Sequence, residues 1–150
     1  TFEDVSVPAA NLLGKEGKGF YNAMVNLEWE RLMMAIGPVY AAQLAFDKTK
    51  EYVLQREAFG QPIGKFQVNR HKMVDMATEI EAARQLSYHA LRKLVNGEPC
   101  AMEVSMAKIF ASRMVDYGAT TCLQLHGGYG YMKEYEIERF FRDVRRVFHA

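Results

Sequence analysis

The stretch "MVDMATEIEAARQLSYHALRKLVNGEP", Met73 to Pro99, decides the fold class of this 150-residue chain. Met73, Met76, Ala77, Ile80, Ala83, Ser87, Ala90, Leu91 and Leu94 recur at three- and four-residue steps, with Lys72, Asp75, Glu79, Glu81, Arg84, Arg92 and Lys93 on or between those steps. That period is helical. It predicts an amphipathic helix of about eight turns with one apolar stripe facing a core, ended by Asn96-Gly97 and Pro99.

Working outward, a helix is expected upstream from about Gly19 to Gln55 and another downstream from about Ala101 to Leu125. In the downstream helix Met106, Ile109, Phe110, Met114 and Leu123 are expected to point inward, with Gly127-Gly128 as the stop. A shorter fourth helix is expected from roughly Glu134 to Phe148. Four helices joined by short turns predict an all-α, antiparallel (up-down) four-helix bundle. At 49% hydrophobic residues the chain is long enough for one real core. The first seventeen residues differ, because "TFEDVSVPAANLLGKEGKG" opens on the alternation Phe2, Val5, Val7 and then breaks at Pro8, Asn11, Gly14, Gly17 and Gly19. Residues 1–17 therefore read as one strand, Thr1 to about Pro8, plus a connector. A lone strand cannot pair with itself, so it is expected to belong to a sheet outside this chain, leaving 18–150 as the bundle domain.

Charge and composition remove several function classes. With 19 basic and 18 acidic residues the net charge is +1, which leaves no electrostatic footprint for nucleic acid or an anionic membrane. The apolar runs fall far short of the roughly 18 residues a membrane span needs, and the N-terminus lacks a signal-peptide pattern. The chain reads as soluble and not exported. Cys100 and Cys122 lie in no CxxC or Cys/His cluster, so no metal site is expected and reduced thiols in an intracellular compartment are. No glutamate has a histidine three residues on, which argues against a di-metal carboxylate bundle. His71, His89, His126 and His149 read as surface, packing or cofactor-neighbour residues.

In "NLEWERLMMAIGP", Asn26 to Pro38, Phe20, Ala23, Met24, Leu27 and Met34 share one stripe with the preceding turns, while Val25, Trp29, Leu32, Met33 and Ile36 occupy the other side. A helix apolar all round is expected to be buried all round. Glu28 and Glu30 stand about 200° apart on the wheel, so they cannot form a carboxylate pair. Arg31 falls inside the first stripe, where an unpaired charge is expensive, and an interhelical ion pair would relieve it. Gly37-Pro38 is expected to interrupt and kink the helix.

Two clusters carry more than a connector needs. "REAFGQPIGKFQ", Arg56 to Gln67, sets an arginine, an aromatic and an amide around two glycines and a helix start, where a phosphate could be held; a plain loop is the other reading. "QLHGGYGY", Gln124 to Tyr131, offers Gly127, Gly128 and Gly130, which let backbone approach a ligand or simply cap a helix and turn. It does not match GxGxxG and follows no strand, so the dinucleotide fingerprint of doubly wound folds is absent.

With "DVSVP", "NLLGKEGKGF", "ERL" at Glu30 to Leu32, the two clusters, and "RFFRDVRR" at Arg139 to Arg146, the chain resembles the C-terminal part of the acyl-CoA dehydrogenase family over its full length. The resemblance implies FAD-dependent oxidation of acyl-CoA to trans-2-enoyl-CoA, as in fatty acid β-oxidation, with the strand at 1–8 ending a middle β-domain. In that chemistry a glutamate removes the α-proton while a hydride leaves for the flavin. In most members the glutamate follows the fourth helix in a YEGT-like segment, and this chain stops at Ala150, about that point. In the long-chain and isovaleryl-like subset the glutamate sits in an ERL-like motif, which implies Glu30 as catalytic base, flanked and desolvated by Leu27, Met33 and Met34. Arg31 is then the substrate-proximal arginine and Glu28 the solvated or structural carboxylate.

The resemblance also implies that Arg56, Phe59 and Gln67 contact FAD, the arginine at its pyrophosphate. Gln124, Gly127 and Gly128 would approach the cofactor phosphates from a neighbouring subunit. The implied partners are an acyl-CoA substrate, electron-transfer flavoprotein as electron acceptor and further copies of the chain in a dimer of dimers, in bacterial cytoplasm or the mitochondrial matrix. Alone, the chain is expected to fold but neither to retain FAD well nor to turn over. An acyl-CoA oxidase or related flavin enzyme, or a structural or oligomerisation bundle, is the alternative.

Overall fold

The computed structural model describes the backbone of residues 1–149 and the side chains of residues 1–144. Four helices carry the chain: α1 (Gly19–Gln55), α2 (Gln67–Val95), α3 (Ala101–His126) and α4 (Glu136–His149). They form the all-α up-down bundle that the periodicity predicts, with α3 packed against α1, α2 and α4.

Of the expected stripe α2 buries Met76, Ile80, Ala83, Ser87 and Ala90, at alternating steps of four and three, while Ala77 is exposed. Arg92 and Lys93 in its last turn complement the negative end of the helix dipole. α3 presents small residues to its neighbours, with Val104, Ala107, Ala111, Val115 and Ala119 each 1% exposed or less. Small side chains let helix axes approach closely. Met114 is buried and Phe110 and Leu123 pack on the core as expected, but Met106 and Ile109 are 48% and 52% exposed. α3 is apolar on most sides, so its wheel does not single out the face lined with alanines.

α1 departs most from expectation. Its 37 residues measure about 55 Å and the 26 of α3 about 39 Å, so its N-terminal part overhangs the bundle. Burial starts at Leu32 and continues through Ala35, Val39, Ala42, Ala45, Thr49 and Val53. Before Leu32 the apolar residues other than the half-buried Leu27 are open, with Phe20 69%, Val25 80% and Trp29 47% exposed. The all-round burial expected for this helix is absent because little among the described residues covers the overhang. Gly37-Pro38 does not interrupt α1 either: the helix is continuous, and the buried ring of Pro38 packs at the core, which offsets the one backbone bond it removes.

No strand forms at residues 1–8, where Phe2, Val5 and Val7 are all exposed, since a strand needs an edge to pair with. The strands present are two-residue segments: β1 (Glu57–Ala58) and β2 (Gln61–Pro62) pair antiparallel, Glu57 with Pro62 and Ala58 with Gln61. Phe59 and Gly60 at the tip take φ of 53° and 79°, the double-positive pattern of a type I′ hairpin. α4 starts at Glu136, two residues later than expected, and buries Ile137 and Val144. The side chains of Arg145, Arg146, Phe148 and His149 lie outside the described residues. Among the described residues no helix is long and apolar enough to cross a membrane.

Candidate functional site

The end of α1 and the end of α3 meet. Arg56 caps α1, its N–H donating to the Tyr52 carbonyl at 2.8 Å and its own carbonyl accepting the Ile63 N–H at 2.8 Å. The last turn of α1 and the residue that follows the hairpin thereby hold the backbone of Arg56 on both sides. At the other element, Gly127 takes φ 58° and ψ −136°, a region closed to residues with a Cβ, and turns the chain out of α3 into a 3-10 segment, Gly127–Tyr131. That segment lies flat on the last turn of α3: a Cβ on Gly130 would stand 2.5 Å from the Leu123 carbonyl oxygen.

As a result Arg56, Gln124, Gly127 and Gly128 line a single cavity of about 400 Å³. The two sequence clusters, expected to reach one cofactor from different subunits, thus face each other across one cleft of a single chain, because α1 and α3 end side by side. The Arg56 guanidinium lies 5.1 Å from the centroid of the Tyr129 ring and has no carboxylate partner among the described residues. A Cβ at Gly128 would meet nothing within 4 Å, so the backbone there is open to an approaching group. An uncompensated guanidinium beside open backbone suits an anion with several oxygens.

The back of the cleft is aromatic. Tyr52 stacks on His126, with centroids 4.2 Å apart, and donates its hydroxyl to the His126 carbonyl at 3.3 Å. Tyr135 stands edge-on to both rings at 6.1 Å. His126 Nδ1 lies 2.8 Å from the Cys122 carbonyl, which fixes the proton of the neutral ring on that nitrogen. Burial lowers the His126 pKa, and the Cys122 carbonyl works against that shift. Burial likewise raises the Tyr52 phenol, and it pushes the Cys122 thiol up to about 11. Tyr52 is a wall residue that sequence reasoning missed, and Tyr135 backs the wall from behind through its ring contacts. A signal existed for Tyr52, four residues before Arg56 and so on the same helix face.

Phe59 and Gln67 are not brought into this cleft. Phe59 sits at the hairpin tip, 97% exposed and edge-on to Phe66 at 6.3 Å, and Gln67 is exposed as the first residue of α2.

Glu30 and Arg31 lie elsewhere, on the overhang. Glu30 is exposed and accepts a hydrogen bond from Asn26 Nδ2 at 2.6 Å, so the desolvation expected from Leu27, Met33 and Met34 is not present. Arg31 is exposed and makes no ion pair among the described residues; where water reaches the guanidinium, no partner is needed. Glu28 is the structural carboxylate: half-buried, it accepts the Cys100 S–H at 3.3 Å and ties α1 to the start of α3. Burial first, and Glu28 second, raise the Cys100 thiol. Along α1, Glu30 and Arg56 stand about 39 Å apart at 1.5 Å per residue. Just past Glu30, Met33, Met34 and Gly37 line a second groove of about 430 Å³ against α4, with Lys48 and Glu136 paired at 2.6 Å on its rim.

Fold and cleft define an all-α bundle domain with a glycine-edged cationic cleft at one end. The chain belongs to the acyl-CoA dehydrogenase family, residues 17–147 matching the family described as acyl-CoA dehydrogenase, C-terminal domain. It is 46% identical over 144 residues to an acyl-CoA dehydrogenase from Bacillus subtilis, covering 96% of this chain and 38% of that protein. It is 43% identical to the caffeyl-CoA reductase-Etf complex subunit CarC from Acetobacterium woodii, covering 95% of this chain and 38% of that one. An acyl-CoA dehydrogenase from Bacillus anthracis, solved in complex with FAD, superposes with a TM-score of 0.90 at 34% identity over 97% of this chain and 28% of that chain. The chain thus spans about 38% of the length of the curated relatives it matches.

Proposed function

We propose that this chain is the C-terminal bundle of an FAD-dependent acyl-CoA dehydrogenase that converts acyl-CoA to trans-2-enoyl-CoA. The observation that carries the reading is the convergence of Arg56, Gln124, Gly127 and Gly128 on one cavity. Those residues fit a diphosphate: the guanidinium is unneutralised among the described residues and the backbone at Gly128 is open. The FAD-bound relative supports the cofactor.

In this reading FAD, when bound, supplies the hydride acceptor. Glu30 removes the α-proton of the thioester, and Arg31 beside it orients substrate. Both are exposed on the overhang, and their desolvation comes from the domain that covers it. Residues 1–17 then lead in from a middle β-domain, whose sheet gives Phe2, Val5 and Val7 a partner. Phe59 and Gln67 meet the cofactor on the outer side of the Arg56 loop.

The roughly 39 Å between Glu30 and Arg56 exceeds the reach of one extended dinucleotide, so each site takes its base and its Arg56 from different subunits. This supports a homo-oligomer, a dimer of dimers. The chain alone is inactive, and the full protein passes electrons to electron-transfer flavoprotein in bacterial cytoplasm or the mitochondrial matrix. The test is anaerobic mixing of the full-length protein with acyl-CoA: bleaching of bound flavin is expected, and absence of FAD or of bleaching refutes the reading. Rapid peroxide release on admitting air would instead identify an oxidase.

The reductase relative favours a second reading, the same chemistry run from enoyl-CoA to acyl-CoA with Glu30 returning the proton. Reoxidation of reduced enzyme by an enoyl-CoA, faster than bleaching by the saturated thioester, would favour it.

A further inference from the structure

Arg56 is held in an unusual way for a surface cation. Its backbone is fixed on both sides by the Tyr52 carbonyl and the Ile63 N–H, leaving only the long side chain free. That side chain rests on Tyr129, 5.1 Å from the ring centroid, instead of on a carboxylate. The distinction has a chemical consequence. A carboxylate would fix the guanidinium but neutralise it and compete for its donors. An aromatic face fixes it and leaves its charge and in-plane N–H groups available.

Tyr129 is itself fixed. The 3-10 segment that carries it lies close on the end of α3, where Gly130 leaves no room for a Cβ beside the Leu123 carbonyl. Its carbonyl accepts the Met132 N–H at 3.1 Å, and its ring leans on Tyr135 with centroids 5.2 Å apart. The open backbone of Gly128 lies on the same cavity wall.

We infer that Tyr129 is a positioning residue, a platform that holds the Arg56 guanidinium, still fully charged, over the cleft for an anionic diphosphate. The inference rests on the diphosphate reading proposed for this cleft. It adds that the arginine is preorganised by a ring in the glycine-rich turn, so the two sequence clusters act as one unit.

The test titrates inorganic pyrophosphate into the full-length protein freed of flavin by calorimetry, using wild type, Tyr129→Leu, Tyr129→Phe, Arg56→Gln and the Tyr129→Leu/Arg56→Gln double variant. Tyr129→Leu is expected to weaken Kd about three- to fivefold and Tyr129→Phe, which keeps the aromatic face, to stay within about twofold of wild type. Arg56→Gln is expected to weaken it about tenfold or more. In the Arg56→Gln background Tyr129→Leu should add nothing, a coupling that a merely structural tyrosine would not show. Should Tyr129→Leu lose its fold by circular dichroism, Tyr129→Met is the second ringless variant.

Wild-type affinity in the ringless variants, alongside a loss in Arg56→Gln, overturns the platform and leaves the diphosphate reading standing. Equal weakening by Tyr129→Leu in both backgrounds also overturns it, because the tyrosine then acts without the arginine. Unchanged binding in Arg56→Gln, or no saturable binding by wild type, overturns the diphosphate reading of this chain and the inference with it.

Discussion

The Tyr52 ring lies against the His126 imidazole with a 19° interplanar angle and 4.2 Å between centroids, joining the last turn of α1 to the last turn of α3. Arg56 follows Tyr52 by one turn and Gly127 follows His126 directly, so this contact sets the distance between the two walls of the cleft. Because His126 is buried and neutral, the same contact is sensitive to acid.

Burial holds the folded-state pKa of His126 below its ordinary value, so the folded protein resists protonation that the unfolded chain accepts. The stability this represents is complete above the unfolded value of about 6.5 and is lost as pH falls from there toward the folded value. Thermal melts should therefore show a lower midpoint at pH 5.5 than at pH 7.5, and His126→Phe, which keeps a ring in the stack, should reduce that difference. Lys48 and Arg142 hold Glu136 and Glu138 below the ordinary carboxylate range, so their loss comes only at more acidic pH and does not overlap. An equal drop in wild type and His126→Phe would show that the histidine is not the acid-sensitive group.

Two neighbouring glycines should respond differently to alanine. Gly130→Ala drives a methyl to within 2.5 Å of the Leu123 carbonyl, and should destabilise the chain by about 1–3 kcal/mol in urea titrations. Gly128→Ala meets open space and should leave stability within about 0.5 kcal/mol. If the Gly128 backbone approaches the cofactor, that same methyl should weaken pyrophosphate binding. Loss of stability in Gly128→Ala, or unaltered binding, would remove the proposed role.

The Lys48–Glu136 pair joins α1 to α4 at 2.6 Å, yet the two side chains are 45% and 58% exposed. Water screens such a pair, so Lys48→Met should change stability by less than about 1 kcal/mol, and added salt should shrink even that. The hold of α4 on the bundle comes instead from Ile137 and Val144, which are buried. A larger effect of Lys48→Met would mean that the ion pair organises α4.

The helices are legible because α2 obeys a single period, and its stripe from Met76 to Ala90 is buried as expected except at Ala77. The wheel of α1 misleads because apolar residues on every side show only that something covers a helix, and before Leu32 the described residues leave most of it open. Met106 and Ile109 were assigned inward for the related reason that large apolar residues outrank alanines on a wheel, while close helix contact selects the alanines. The hairpin at 57–62 is too short to show a period. At the site, Arg56 and the glycine-rich turn could be picked out by residue type, but their meeting in one cavity depends on how α1 and α3 end, which no local pattern encodes. The exposure of Glu30 and the tie of Glu28 to Cys100 likewise depend on tertiary placement.

Glu30 is the proposed base. It is exposed and bonded only to Asn26 among the described residues, so Glu30→Gln should leave the bundle folded. The decisive measurement is the rate of flavin reduction by acyl-CoA in the full-length protein, wild type against Glu30→Gln, by anaerobic stopped flow. A loss of at least about 100-fold is expected, with FAD still bound. Reduction by the variant at close to the wild-type rate would contradict it and place the base outside this chain.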